Sequence, residues 1–289
     1  MLIENDYCIV EFDADHGTIR RIFDKIGNVE LIAEARLAGN FALLLPLPDT
    51  QANYIWGADQ RLSECERTPD GAILRWNGPL TGREGQFDAD VTMRVELKEA
   101  AVSFRLEVQN RTGLQLAEVW HPVLGGLTGF GERRDTRVML PLTGYPGSPE
   151  AYEALFQTFR GAGIDGLGTA GPEYLFAYPG KLPMPWFDIY NPQLGRGAYV
   201  GCHDSVVRFK ALRFELLPGA RHPGAPTPGR APTRRPRGSW QALSPIGSAS
   251  PTLRRAARSR RRRWLCSSTP AIGMPPPVST GSGSWPTTR

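Results

Sequence analysis

The sequence predicts an all-β fold, a large two-sheet antiparallel sandwich with one short helix, followed by a disordered tail. Three observations predict it. Through residues 1–218 apolar and polar side chains alternate with a period of two, the spacing at which a strand buries one face and wets the other. Clusters of Gly, Asp and Asn separate those runs, as turns require. From residue 219 onward the alternation stops and the composition changes.

The elements follow in order. Tyr7–Phe12 reads as a strand that stops at Asp13–Ala14–Asp15–His16–Gly17, and Thr18–Phe23 reads as its hairpin partner, closed by Asp24–Asn28. The clearest pair is Val91–Leu97 with Val102–Val108: apolar residues occupy the odd positions of the first and the even positions of the second, and Lys98–Ala101 makes the turn. One face is buried and one is wet, as in an antiparallel sheet over a core. Further strands are expected at 41–45, 72–76, 115–120, 136–140, 173–178, 197–202 and 206–216. The helix is expected after Ser148 as N-cap, with Pro149 in the first turn, Glu150 near its positive end and Gly161 or Gly163 as its stop.

The chain divides at about residue 218. Residues 1–218 hold 21 Lys and Arg against all 29 Asp and Glu, a net of −8, whereas residues 219–289 hold 13 Arg and no acidic residue, a net of +13. The tail also carries 12 of the 26 prolines and lacks Lys, Asn, Phe and Tyr. Such a segment buries too little apolar surface to offset chain entropy, so disorder is its expected state. Its Arg/Pro/Ala/Gly/Ser bias is that of GC-rich DNA read out of frame. Back-translation in a shifted frame turns 250–286 into a strand-like run, a turn and an amphipathic segment, which predicts a frameshift near Pro218–His222. A functional reading of the Arg-rich run Arg254–Arg263 is non-specific binding of nucleic acid through phosphate charge.

Cys8, Cys65, Cys202 and Cys266 show no C-x-x-C spacing, so buried thiols are expected rather than a zinc site or a disulfide framework. Asp13, Asp15, Asp88 and Asp90 read as turn and solvent-face residues, and no metal is expected. The glycine runs Gly125–Gly131 and Gly161–Gly171 lack the phosphate-loop pattern, so no cofactor is expected either. No apolar leader follows Met1 and no run approaches ~18 apolar residues, which predicts no membrane partner and a cytoplasmic location by default.

Three segments carry a resemblance. Glu118–Val119–Trp120–His121–Pro122–Val123–Leu124–Gly125–Gly126, Pro183–Met184–Pro185–Trp186–Phe187–Asp188–Ile189–Tyr190 and Gly197–Ala198–Tyr199–Val200–Gly201–Cys202–His203–Asp204, with the opening rhythm from Phe12 to Ile32, resemble the galactose-mutarotase-like β-supersandwich. More closely they resemble the N-terminal sandwich of bacterial glycoside-hydrolase-like proteins. The resemblance covers residues 1–218. It implies a non-catalytic carbohydrate-associated domain that binds sugar or supports a catalytic barrel as its partner. It also implies a truncated product, because glycosidic cleavage needs two carboxyl groups across the scissile bond and nothing after Glu215 is acidic. On its own the chain is not expected to be an enzyme.

Sugar recognition needs flat aromatic faces and a few fixed polar groups. Trp120, His121, Trp186, Asp188, Tyr190, His203 and Asp204 supply both in short spans and are the candidate carbohydrate-binding residues; packing against the core or a barrel is the structural reading of the same residues. The alternative of an aldose 1-epimerase-like enzyme needs a carboxylate base and a histidine acid. Glu118 and His121 are three apart and face oppositely on a regular strand, which argues against their pairing.

Overall fold

The computed structural model describes residues 1–32, 34–127, 130, 135–141, 173–204, 207–215, 264–266 and 270–273. Among these residues the chain is nearly all β, arranged in antiparallel sheets, and its helical segments are two 3-10 turns, Ala35–Leu37 and Gly57–Asp59. The expected helix after Ser148 lies outside the described residues.

The longest pair is β11 (Ala89–Lys98) with β12 (Ala101–Asn110), ten residues each, registered from Ala89 opposite Asn110 to Lys98 opposite Ala101. Their odd and even apolar positions, Val91, Met93 and Val95 against Val108, Leu106 and Phe104, are all buried. The turn closes with Glu99 at φ 52°, a left-handed conformation that side chains other than Gly adopt uncommonly. β8 (Gly71–Trp76) pairs with β11, and a Cβ on Gly71 would run into the Val95 carbonyl oxygen, so this close approach requires glycine. The outer edge is β7 (Glu64–Thr68), whose exposed Glu64 and Glu66 both bridge to Arg75. Charges on an edge strand discourage further pairing.

On the other side of β12 the sheet continues through β20 (Pro270–Gly273) to β17 (Arg196–Cys202), β16 (Trp186–Asn191) and β14 (Arg137–Met139). β19 (Trp264–Cys266) also pairs with β12, so the described residues of the 219–289 segment occupy ladder positions beside β12, and those of β20 lie between β12 and β17. Strand edges carry unpaired N–H and C=O groups, and β20 occupies those of β12 and β17 at once. A four-stranded sheet, β1 (Leu2–Glu4) to β4 (Val29–Glu30) by way of β2 (Cys8–Phe12) and β3 (Ile19–Asp24), contains the expected first hairpin. A three-stranded sheet runs in the order β13 (Glu118–Val123), β5 (Asn40–Leu44), β6 (Tyr54–Trp56). β15 (Glu173–Tyr178) pairs with β18 (Lys210–Glu215), and β9 (Leu80–Gly82) with β10 (Gly85–Phe87).

One apolar core joins these sheets. Val10, Phe12 and Ile22 from the four-stranded sheet, Phe41 and Leu43 from the three-stranded sheet, and Leu74, Trp76, Val91 and Phe104 from the nine-stranded sheet belong to a single buried cluster. Phe41 meets Trp76 edge-on at 5.1 Å, an arrangement favoured by the ring quadrupoles.

Candidate functional site

β16 reads Trp186–Phe187–Asp188–Ile189–Tyr190–Asn191, and its burial alternates: Phe187, Ile189 and Asn191 are buried, while Trp186, Asp188 and Tyr190 are half-buried on the other face. The strand period therefore brings three of the seven sequence-derived candidates onto one surface. The antiparallel partner β17 places Gly201 opposite Trp186, Tyr199 opposite Asp188 and Gly197 opposite Tyr190, and opposed residues share a face. A Cβ on Gly201 would collide with the Tyr199 ring, so that ring lies down over the glycine. It meets Trp186 at 5.8 Å and 36° on one side and His203 at 5.7 Å and 43° on the other, with the Tyr199 hydroxyl 3.3 Å from His203 Nε2. Trp186, Tyr199 and His203 thus form a continuous row of rings.

Asp188 stands beside that row. Its Oδ1 is shut off from solvent without a hydrogen-bond partner, and burial pushes its carboxyl above the ordinary carboxylate range, against the backbone N–H of Ile189. A desolvated oxygen without a partner costs stability.

A second group of rings lies on the three-stranded sheet. Trp120 and Trp56 both register against Ala42, and they meet edge-on at 5.6 Å. Tyr54 joins them at 5.0 Å from Trp120 and 6.1 Å from Trp56. The Tyr54 hydroxyl and the Trp120 indole N–H both donate to Glu118 Oε2, at 2.9 and 3.0 Å. The Arg213 guanidinium lies 4.2 Å from the Trp120 ring centroid.

The remaining candidates take other places. His121 follows Trp120 on β13, where the register shifts between Trp120 and Val123. It lies edge-on to the buried Phe104 at 6.4 Å, with Nδ1 3.2 Å from the Asn40 carbonyl and Nε2 buried without a partner. Burial depresses its pKa to about 4, opposed by the contact with Asn40. Trp120 and His121 are adjacent in sequence but belong to different environments. Asp204 is ion-paired with Lys210 at 2.8 Å, both side chains being largely buried.

No protein-family model matches the sequence, and no curated protein matches it. Among solved structures the chain is similar to a galactose mutarotase-like protein from Lactobacillus casei. The identity is 10% and the TM-score 0.40, with 74% of this chain and 87% of that chain covered. The site therefore rests on its own geometry.

Sequence reasoning missed Tyr54, Trp56, Tyr199 and Arg213. The signal for Tyr199 was in reach, since Gly197–x–Tyr199–x–Gly201 leaves one bulky side chain between two glycines on one strand face. Asp13 accepts from the backbone N–H groups of Asp15 and His16, and Asp88 and Asp90 hold Arg111. Among the described residues no group of three or more His, Cys, Asp or Glu is placed to hold a metal ion, and no helix is long and apolar enough to cross a membrane. The described surface has a small cleft of about 180 Å³ between Thr68, Asp70, Arg94 and Glu96, at the end of the nine-stranded sheet opposite to β16 and β17. We give it no role, because it offers no aromatic face. The Trp186–Tyr199–His203 row is an open platform, suited to a flat ligand with an apolar face and hydroxyl edges.

Proposed function

We propose that residues 1–218 form a carbohydrate-binding sandwich of the kind that supports a glycoside hydrolase's catalytic barrel, with the face of β16 and β17 as its sugar contact. The observation that carries this reading is the row of three rings, Trp186, Tyr199 and His203, with the half-buried Asp188 carboxyl beside it. The rings offer flat surfaces to sugar C–H groups, and the carboxyl accepts a hydroxyl. The role is binding, not cleavage. Among the described residues of β14, β16 and β17, the half-exposed face carries one carboxyl, Asp188, and glycoside hydrolysis needs two. Calorimetric titration of the full chain with neutral oligosaccharides tests it. We expect saturable binding that weakens about tenfold in Trp186→Ala; binding indifferent to that substitution would refute the assignment.

One observation favours an aldose-epimerase-like reading. Asp188, Tyr199 and His203 share a face, with a carboxyl of raised pKa on one side of the phenol and an imidazole touching its hydroxyl on the other. An acid and a base across a sugar hemiacetal is what mutarotation requires. A coupled mutarotation assay flat for every aldose tried would remove it, and activity lost in Asp188→Asn would establish it.

The tail completes the proposal. Its composition supports out-of-frame translation that severs the sandwich from a barrel, and resequencing the coding DNA around codon 218 tests this. Its 13 arginines bind nucleic acid through charge alone, so added salt abolishes that binding.

A further inference from the structure

Among the described residues the two halves of the nine-stranded sheet meet across one short strand. β7, β8, β11 and β12 lie on one side of β20, and β17, β16 and β14 on the other. Ala271, Ile272 and Gly273 stand opposite Ser103, Val102 and Ala101 of β12. On the other side Pro270, Ala271, Ile272 and Gly273 stand opposite Cys202, Gly201, Val200 and Tyr199 of β17. With neighbouring strands about 4.8 Å apart, β12 and β17 are roughly 10 Å from each other, a gap the width of one strand. Along that edge of β12 every described pairing comes from beyond residue 218, since β19 takes Leu106, Glu107 and Val108. The gap has a pattern of its own. Val102 and Val200, level with each other, are buried. The positions on either side hold Ala101 and Ser103 on β12 and, on β17, Gly201 beneath the Tyr199 ring. An occupant therefore needs an apolar residue between two small ones, and Ala271–Ile272–Gly273 has that order. Pro270, which has no N–H, takes the first position of the strand, where a ladder tolerates it.

We propose that the space between β12 and β17 is a strand-acceptor site, filled by Pro270–Gly273 of its own chain and open to the same segment of a second copy. Two strand edges offer N–H and C=O groups to an extended segment, so the main chain supplies the attraction and residue size the selection. The β11–β12 pair is closed by a two-residue turn and has ten register pairs. β20 has three pairs with β12 and four with β17, and 48 residues separate Glu215 from Trp264. A long connection lowers the effective concentration that favours a chain's own strand. At about 3.3 Å per residue, that connection reaches up to ~160 Å, so its length does not confine the strand to its own copy. Exchange of an identical element between copies then needs no new kind of contact. The site is independent of the sugar reading, since it is made by the backbone edges of β12 and β17 and not by the rings.

Hydrogen exchange and peptide titration of the full chain test this. Ile272→Pro removes the N–H in the middle of β20 and should empty the site. Ile272→Asp, which places a charge level with the buried Val102 and Val200, is the second variant. We expect the gap-facing amides of residues 101–103 and 199–202 to be protected in the parent chain and to exchange on the order of tenfold faster in the variants. Amides between β8 and β11 should keep their rates, which shows that the sandwich is intact. A fluorescent peptide of residues 267–275 stands for the second copy's strand. It should bind the variants saturably and on the order of tenfold more tightly than the parent, whose site is filled. The same peptide carrying Ile272→Pro should not bind. Gap-facing amides that exchange in the parent as fast as unpaired ones overturn the proposal. So does a peptide that binds the variants no more tightly than the parent, or equal binding of the two peptides. Trp186→Ala, which tests the sugar face, should leave peptide binding unchanged, so the two assignments fail separately.

Discussion

The ring cluster on β13 and β6 and the platform on β16 and β17 are built from the same residue types, yet their polar atoms are in different states. In the cluster Tyr54 and Trp120 donate to Glu118 and a guanidinium covers one ring. On the platform Asp188 keeps an oxygen without a partner, and the Tyr199 hydroxyl reaches only the exposed His203 at 3.3 Å. Satisfied polar atoms rigidify a surface, whereas an unsatisfied one costs stability. The difference teaches that aromatic content alone does not distinguish a packed ring cluster from an open one; the hydrogen-bond account does.

The largest expected effect lies next to the cluster on β13, at His121. Its pKa is about 4 in the folded chain against an ordinary 6.5, so the unfolded chain binds the extra proton between those values. Stability should fall by about 3 kcal/mol as pH drops from 6.5 to about 4, with no further loss from this group below that. Urea unfolding of the parent and His121→Gln checks it; an acid limb unchanged in the variant would mean that another group titrates. Next, Trp120→Ala should cost about 2 kcal/mol, less than a fully buried Trp because the ring is half-buried. Trp186→Ala should cost roughly half as much, and equal losses would erase the distinction between a packed cluster and an open platform. Asp188→Asn should stabilise by about 1 kcal/mol near neutral pH, because an acid whose folded pKa is raised loses stability as pH climbs through and above the ordinary carboxylate range. Sugar binding should weaken in the same variant.

Much of the fold was legible because β11 and β12 each sustain alternation over ten residues, enough to fix both the strands and the register. β7 was not legible: Glu64–Cys65–Glu66–Arg67–Thr68 is an edge strand held by pairing and charge, with no apolar face to betray it. The strand expected at 115–120 is displaced to Glu118–Val123, where the register shift accommodates His121 and Pro122. At the site, Trp186, Asp188 and Tyr190 were readable as alternate residues of one strand. Tyr199 became part of it only through its register opposite Asp188, and Tyr54 and Trp56 only through pairing of β6 with β5. Single-strand periodicity carries faces, but cross-strand neighbours are long-range information.

The most direct test is a carboxyl-selective NMR titration of Asp188, with and without the oligosaccharide that binds the full chain most tightly. A hydroxyl donated to Asp188 stabilises the charged form, so its midpoint should move down toward the ordinary carboxylate range when the sugar is bound. A midpoint that stays raised at saturation would contradict the placement of sugar on this face.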